Sequence, residues 1–360
     1  VFDLRTHSAR HAHNCRITDC SFEQSEYGSD EESRWLNIYG TGNRIDHCYF
    51  AGKRNRGTTL VIWVGEPAGS HRIDHNHFGP RPELGKNGGE TIRIGTSDVS
   101  ESNSRTMVEE NYFELCNGEG EIISNKSCEN IYRHNLFDRC AGALTLRHGH
   151  RCRVDGNVFL GREEKGTGGV RIIGSDHCVT NNYFESLRGD AERAAICLMN
   201  GIPDSPLNGY APVSNALIAN NTFIDCKVSM EFGVRSSTKN SDGPTDCSVI
   251  HNTFLPGKWE LFRVHDKPSN FTWIGNKYQS GATRGADLVE LERVDIKLKR
   301  AHDGILRPSD STPLECDQPS TIKIDIDGEP RKLAIAGCDD PSTRITSREL
   351  ATTTGPSWRP

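Results

Sequence analysis

The chain has 360 residues, of which 34% are hydrophobic, with a formal net charge of −6 and a strongly negative mean hydropathy. No apolar run approaches the ~20 residues that a membrane span needs, and the net charge offers no long-range steering toward nucleic acid or any other polyanion. That is little apolar material for a globule, but it suits a solenoid, whose core is thin and whose polar surface is large.

From residue 17 onward one phrase recurs: an apolar residue, Asn three positions later, and an aromatic two after that. The first copies, Ile17/Cys20/Phe22 and Ile45/Cys48/Phe50, carry Cys for Asn. They are followed by Ile73/Asn76/Phe78, Val108/Asn111/Phe113, Tyr132/Asn135/Phe137, Val154/Asn157/Phe159, Val179/Asn182/Phe184, Ile218/Asn221/Phe223, Val249/Asn252/Phe254 and Trp273/Asn276/Tyr278. Ten copies at a loose period mean a stack of similar coils, the longer spacings being coils with inserted loops. The apolar runs between them (59–63, 91–94, 144–146, 170–173) are short, rich in Val, Ile and Thr, and bounded by Gly, Asn, Asp and Ser. That is strand-and-turn chemistry. The expected fold is all-β: a right-handed parallel β-helix of about ten coils, with strands ~4.8 Å apart and stacked Asn and Phe ladders. The Asn is expected to occupy a left-handed turn position, which it tolerates. Residues 1–283 are read as the β-helix. Residues 284–360 are read as irregular final coils and a C-terminal tail of the same domain, lying along the solenoid and capping its open edge.

Thirteen cysteines leave at least one unpaired. Several recur at fixed offsets from the aromatic (Cys116, Cys140, Cys226; Cys15, Cys152, Cys247), which points to small core residues in ladders. A Cys316–Cys338 pair is left open.

Three consecutive coils carry an ionisable stripe. Lys126, Arg147, His148 and Arg171 fall in or beside the same strand of their coils. Arg147 is out of parity with Lys126 and Arg171, so either the register slips by one or Arg147 sits past the strand end. Acids converge nearby: Glu119 and Glu121 two apart on one strand face, and Asn87-Gly-Gly-Glu90 one coil earlier, before Arg93. An all-oxygen set of Asn and Glu suits a hard cation, Ca²⁺ above Zn²⁺. Arg151 is counted with the basic cluster. The His-x-His pairs His11/His13, His75/His77 and His148/His150 are read as polar turn residues.

The segments 87–97, 119–127, 144–150 and 169–175 resemble polysaccharide lyase family six, which contains alginate lyases and dermatan-sulfate lyase (chondroitinase B), all right-handed parallel β-helices. The likeness covers roughly residues 10–280, and stretches of the tail near 325–331 and 355–358 share it. The resemblance implies Lys126 as Brønsted base and Arg147 as acid. It implies Asn87, Glu90, Glu119 and Glu121 as Ca²⁺ ligands, and Arg93, His148 and Arg171 as residues that bind sugar carboxylates. The chemistry is coherent. The C5–H of a uronate is weakly acidic, and a cation at the carboxylate stabilises the charge that builds up when it is abstracted. A guanidinium is an awkward proton donor, so Arg147 is also read as a stabiliser of the leaving oxygen.

The implied substrate is an anionic polysaccharide, alginate ahead of dermatan sulfate, with neither nucleic acid nor membrane as a partner. The expected location is secreted or periplasmic. A glycoside hydrolase would need paired carboxylates without the Lys–Arg pair. A C5-epimerase would need a motif such as Asp-Pro-His, which is missing. A β-helical adhesin or carbohydrate-binding protein would explain the ladders but not the stripe. Loops 95–106 and 201–213 bear on endo or exo action; oligomeric state is open.

Overall fold

The computed structural model describes residues 2–7, 10–24, 32–284, 291–342 and 353–359. Each coil contributes one short strand to each of three parallel sheets. Among the described residues the first sheet has eleven strands, from Phe2–Asp3 to Ala282–Arg284, and the second has ten, from Arg16–Thr18 to Thr272–Ile274. The third has eleven, from Ser21–Glu23 to Leu291–Arg293. The fold is a right-handed parallel β-helix. No α-helix occurs among the described residues, and none is long and apolar enough to cross a membrane.

Two ladders hold the coils together. The rings of Phe22, Phe50, Phe78, Phe113, Phe137, Phe159, Phe184, Phe223 and Phe254 stack at centroid distances of 4.6–5.0 Å and interplanar angles of 2–15°. The strand spacing imposes this separation, and it is also a favourable one for offset rings. In the Asn ladder each Nδ2 donates to Oδ1 of the next Asn, as from Asn135 to Asn157 at 2.9 Å and from Asn157 to Asn182 at 3.0 Å. Each backbone N–H donates to the same oxygen. Cys48 joins the ladder only through its N–H, on Asn76 Oδ1.

The ladder Asn is not the left-handed residue. That conformation belongs to the residue before it: His75, Glu110, His134, Gly156, Asn181, Asn220, His251 and Gly275 have φ of 52–63°. The turn is made one position early so that the Asn amide points inward and reaches its neighbours. Asn157 is fully buried and bonds both adjacent rungs as well as Tyr132 O. Asn157→Ala should therefore cost about 3 kcal/mol or more, since each buried donor or acceptor left unsatisfied costs about 1–3 kcal/mol. Denaturant unfolding checks this; a loss under about 1 kcal/mol, the worth of one ordinary hydrogen bond, contradicts the ladder's role.

All thirteen cysteines are free, including Cys316 and Cys338. Cys316 Sγ sits on Gly275 O, whereas the Cys338 N–H sits on Thr222 Oγ1, two coils earlier.

After Leu291–Arg293 the chain turns back. Ile296, Ile305, Leu314, Ile326, Ile335 and Cys338 pack against Leu136, Val158, Leu160, Tyr183, Ile224 and Leu255. The tail thus covers the outer face of the third sheet, and its last described residues reach the first coil, where Ser357 N–H donates to Asp19 Oδ1, Trp358 Nε1–H donates to Asp19 O and Arg359 bonds Glu23. Arg307, 1% exposed, ties segments of the tail to one another with bonds to Asp303, Asp327 and Asp339.

Candidate active site

The ionisable stripe lies on the outer face of the first sheet, on Ile92–Ile94, Glu121–Lys126, Ala143–His148 and Val170–Ile172. Arg93 pairs in register with Ser124, Ser124 with Thr145, and Thr145 with Arg171. The parity problem is solved by a register slip. Asn125 faces Leu146, but the next pair is Lys126 with His148. Arg147 is therefore the extra residue of a bulge, which re-aims its side chain. A compensating irregularity lies at the other end, between Glu121 and Ile123.

Glu121, 6% exposed, is the hub. Arg147 Nη1 donates to its Oε1 at 2.6 Å, and Arg171 Nη2 donates to the same oxygen. Oε2 lies outside both contacts. Burial would raise the Glu121 pKa, but Arg171 and Arg147 outweigh it and hold the carboxyl below the usual range. Arg171 is itself buried and also bonds Glu192 at 2.5 Å. Lys126 is half-buried, and among the described residues its Nζ has no hydrogen bond or ion pair. Its pKa is lowered first by burial and then by Arg147, against the opposing pull of Glu121 and Glu90. His148 is buried, with Nε2 3.2 Å from Ser97 Oγ. Burial, then Arg147 and Lys126, lower its pKa to about 4, so it is neutral near pH 7. Arg93 lies 5.4 Å from the Trp63 ring centroid and has no ion pair among the described residues.

The expected cation ligands come together in part. Glu119 Oε2 accepts the N–H groups of Gly88 and Gly89 at 2.6 and 2.9 Å. Gly89 and Gly118 are required by mutual contact: a Cβ on Gly89 would lie 2.3 Å from Gly118 O, and one on Gly118 would lie 2.2 Å from Gly89 O. Glu90 is buried and accepts from Thr58 Oγ1 at 3.2 Å. Burial, then Glu90 and Glu121, raise the Glu119 pKa, so three carboxylates repel one another here. Asn87 is exposed on the loop before them. Carboxylates facing one another in this way fit a hard divalent cation on this oxygen set. The Glu90, Glu119 and Glu121 oxygens do not close to within 4.8 Å of one another. The acidic group of the described residues that does is Asp325, Asp327 and Asp339 in the tail, bonded by Arg307 at two of its members.

Arg151 does not join the site; it lies exposed on a turn beside Glu129 and Asn103. Sequence reasoning missed Glu192, Trp63, Ser97, Glu231 and Tyr210. Glu231 continues the same row past Cys197, fully buried, bonded by Ala191 N–H and His265. Its place in the row was hidden by the long insertions between Phe184 and Phe254. Tyr210 sits on such an insertion, where no period applies.

The Chondroitinase B family model matches residues 1–255. The structure superposes on that of the PL6 family alginate lyase AlyGC with a TM-score of 0.84 and 34% identity, over 99% of this chain and 46% of that one. The chain thus spans about half the length of that relative. A mannuronic acid specific polysaccharide family 6 lyase from human gut microbiota gives a TM-score of 0.68 and 32% identity, over 82% of this chain and 70% of that one. The alginate lyase AlyF-OU02 shares the fold at 23% identity, with a TM-score of 0.76 over 95% of this chain and 75% of its own. No curated protein sequence matches.

Proposed function

The chain belongs to polysaccharide lyase family 6, and on that premise we propose that it cleaves a uronate-containing polysaccharide, alginate, by β-elimination with Lys126 as the base. The observation that carries the reading is the state of Lys126: a half-buried amine with a depressed pKa and no ion pair among the described residues, beside a guanidinium and a cluster of carboxylates. A lysine serves as base only when part of it is neutral at working pH.

Lys126 takes the C5 proton of the uronate, and the electron pair forms the C4–C5 double bond as the C4–O4 bond breaks. Arg93 and the neutral His148 flank the groove and take substrate carboxylates, Arg93 as a cation and His148 as a hydrogen-bonding partner. Arg171, expected from the resemblance to bind a sugar carboxylate, is buried with its two terminal nitrogens on Glu192 and Glu121, and in this reading it keeps Glu121 in place. Arg147 presents its charge to the departing oxygen. A Ca²⁺ held by Asn87, Glu90, Glu119 and Glu121 would supply positive charge at the sugar carboxylate, where the negative charge builds up.

Polyguluronate, polymannuronate, mixed alginate and dermatan sulfate, followed by ultraviolet absorbance of the unsaturated product, test this directly. Absorbing product is expected from alginate. The rate should rise with pH as Lys126 loses its proton, and the rise should be centred below the ordinary lysine value of about 10.4. New reducing ends without ultraviolet absorbance would mean hydrolysis and end the proposal.

A further inference from the structure

The row that carries Lys126 and His148 extends toward the N-terminus. Ile38, Ile62, Ile94 and Asn125 are in register on the first sheet, so the residues that follow them, Tyr39, Trp63, Gly95 and Lys126, succeed one another along the outer face. Past His148 the row meets Tyr210, whose ring centroid lies 5.2 Å from Arg147 Cζ and whose ring meets that of His148 edge-on at 6.3 Å. At the other end the row is aromatic. The Tyr39 and Trp63 rings stack with centroids 5.7 Å apart at an interplanar angle of 4°, and the His11 ring tilts onto Tyr39 at 5.4 Å.

Trp63 is half-buried, and its Nε1–H donates to Asn37 Oδ1 at 3.0 Å, which fixes the orientation of the indole. One face of the indole lies against Tyr39. The other is turned along the row toward Lys126, and the residue between them is Gly95, which has no side chain to cover it. Trp63 and Lys126 are two coils apart, about 9.6 Å at the spacing of parallel strands. A pyranose ring laid flat on the indole fits that gap, its C–H hydrogens against the negatively polarised aromatic face.

The charge around the indole suits a uronate. Arg93 Cζ lies 5.4 Å and Arg34 Cζ 5.7 Å from the same ring centroid. Arg34 pairs with Glu32 at the surface. Arg93 has no ion pair among the described residues, and its Nε is buried without a hydrogen-bond partner. Burial lowers the Arg93 pKa most, and Arg34 lowers it further against the pull of Glu90 and Glu32. Two guanidiniums on one ring, one of them without a counterion, favour an anion beside them.

We propose that Trp63 is a stacking platform for the uronate unit next to the one that loses its C5 proton, with Arg34 joining Arg93 on that unit's carboxylate. The assignment rests on the lyase reading above. Elimination at C4 implies a 4-linked polymer, in which each pyranose advances by roughly one coil spacing. A polymer lying along the row with one unit at Lys126 therefore brings its neighbour to the level of Gly95, against the indole.

The test is calorimetric binding of a hexameric oligouronate from alginate to the Lys126→Ala enzyme, which holds the substrate without cutting it. Trp63→Leu in that background should weaken binding at least ~10-fold, equivalent to ~1.4 kcal/mol. Trp63→Tyr should recover most of the loss. Arg34→Gln should weaken binding of the hexamer but not of the same hexamer with its carboxylates reduced to alcohols. With Lys126 intact, Trp63→Leu should raise KM more than it lowers kcat. Parental binding by Trp63→Leu overturns the platform, and so does a loss that Trp63→Tyr leaves in place. An equal effect of Arg34→Gln on both hexamers overturns its role at the carboxylate. These outcomes are read as binding, whereas failure of the wild-type enzyme to form any unsaturated product would remove the lyase reading itself.

Discussion

Lys126→Ala is expected to lose at least ~100-fold in turnover on alginate, the scale of a missing general base, while KM and folding stay close to those of the parent. Folding stays intact for an electrostatic reason. Among the described residues nothing donates to or accepts from Lys126 Nζ, so its removal orphans no buried partner. Burial and Arg147 hold its pKa below the value it has in the unfolded chain. The folded state therefore binds that proton less tightly, and the charged lysine opposes folding at every pH where the unfolded side chain is protonated. Loss of Lys126 should leave the melting temperature unchanged or raise it. Lys126→Arg should not rescue activity, because a guanidinium cannot act as a base near neutral pH. Near-parental formation of unsaturated product by Lys126→Ala would show that another group removes the C5 proton.

Removal of divalent cations is expected to lower turnover by at least ~100-fold, with recovery on adding Ca²⁺. A bound cation contributes several kcal/mol of charge stabilisation, and each 1.36 kcal/mol is about tenfold in rate. Mg²⁺ should restore little, since it demands a tighter octahedral set and gives up water reluctantly. A second readout needs no substrate. Ca²⁺ should raise the melting temperature in proportion to how tightly it binds the folded chain, and Glu119→Gln should weaken that shift. Full activity in excess chelator together with a melting temperature indifferent to Ca²⁺ would mean that basic residues alone offset these acids, Arg147 and Arg171 at Glu121 and Arg81 at Glu90 and Glu119.

The coil repeat was legible because a solenoid uses each ladder position over and over. Phe at one place and Asn two before it recur so often that even insertions of ten or more residues cannot hide them. The finer turn geometry was not legible. Asn tolerates the left-handed region, yet the ladder needs its amide pointing inward, so the turn moved to the residue before, where Asp, Glu, His, Asn and Gly all appear. The Cys316–Cys338 question could not be settled either, because both residues lie in a segment with no period to place one against the other.

The β-helix, the two ladders and the coil-by-coil grouping of Arg93, Glu121, Lys126, Arg147, His148 and Arg171 are readable from the amino-acid order alone, because all of these follow from counting along a repeat. The tertiary structure decided what that counting cannot reach. A one-residue slip pairs Lys126 with His148 and turns Arg147 toward Glu121. Such a slip is set by hydrogen bonding between two adjacent strands, which leaves no mark in the spacing of either. Tyr210 reaches the site on an aperiodic insertion whose path depends on what it packs against. The tail found its place on the third sheet for the same reason, through apolar contacts with Leu136, Val158 and Ile224 that only the folded solenoid presents side by side.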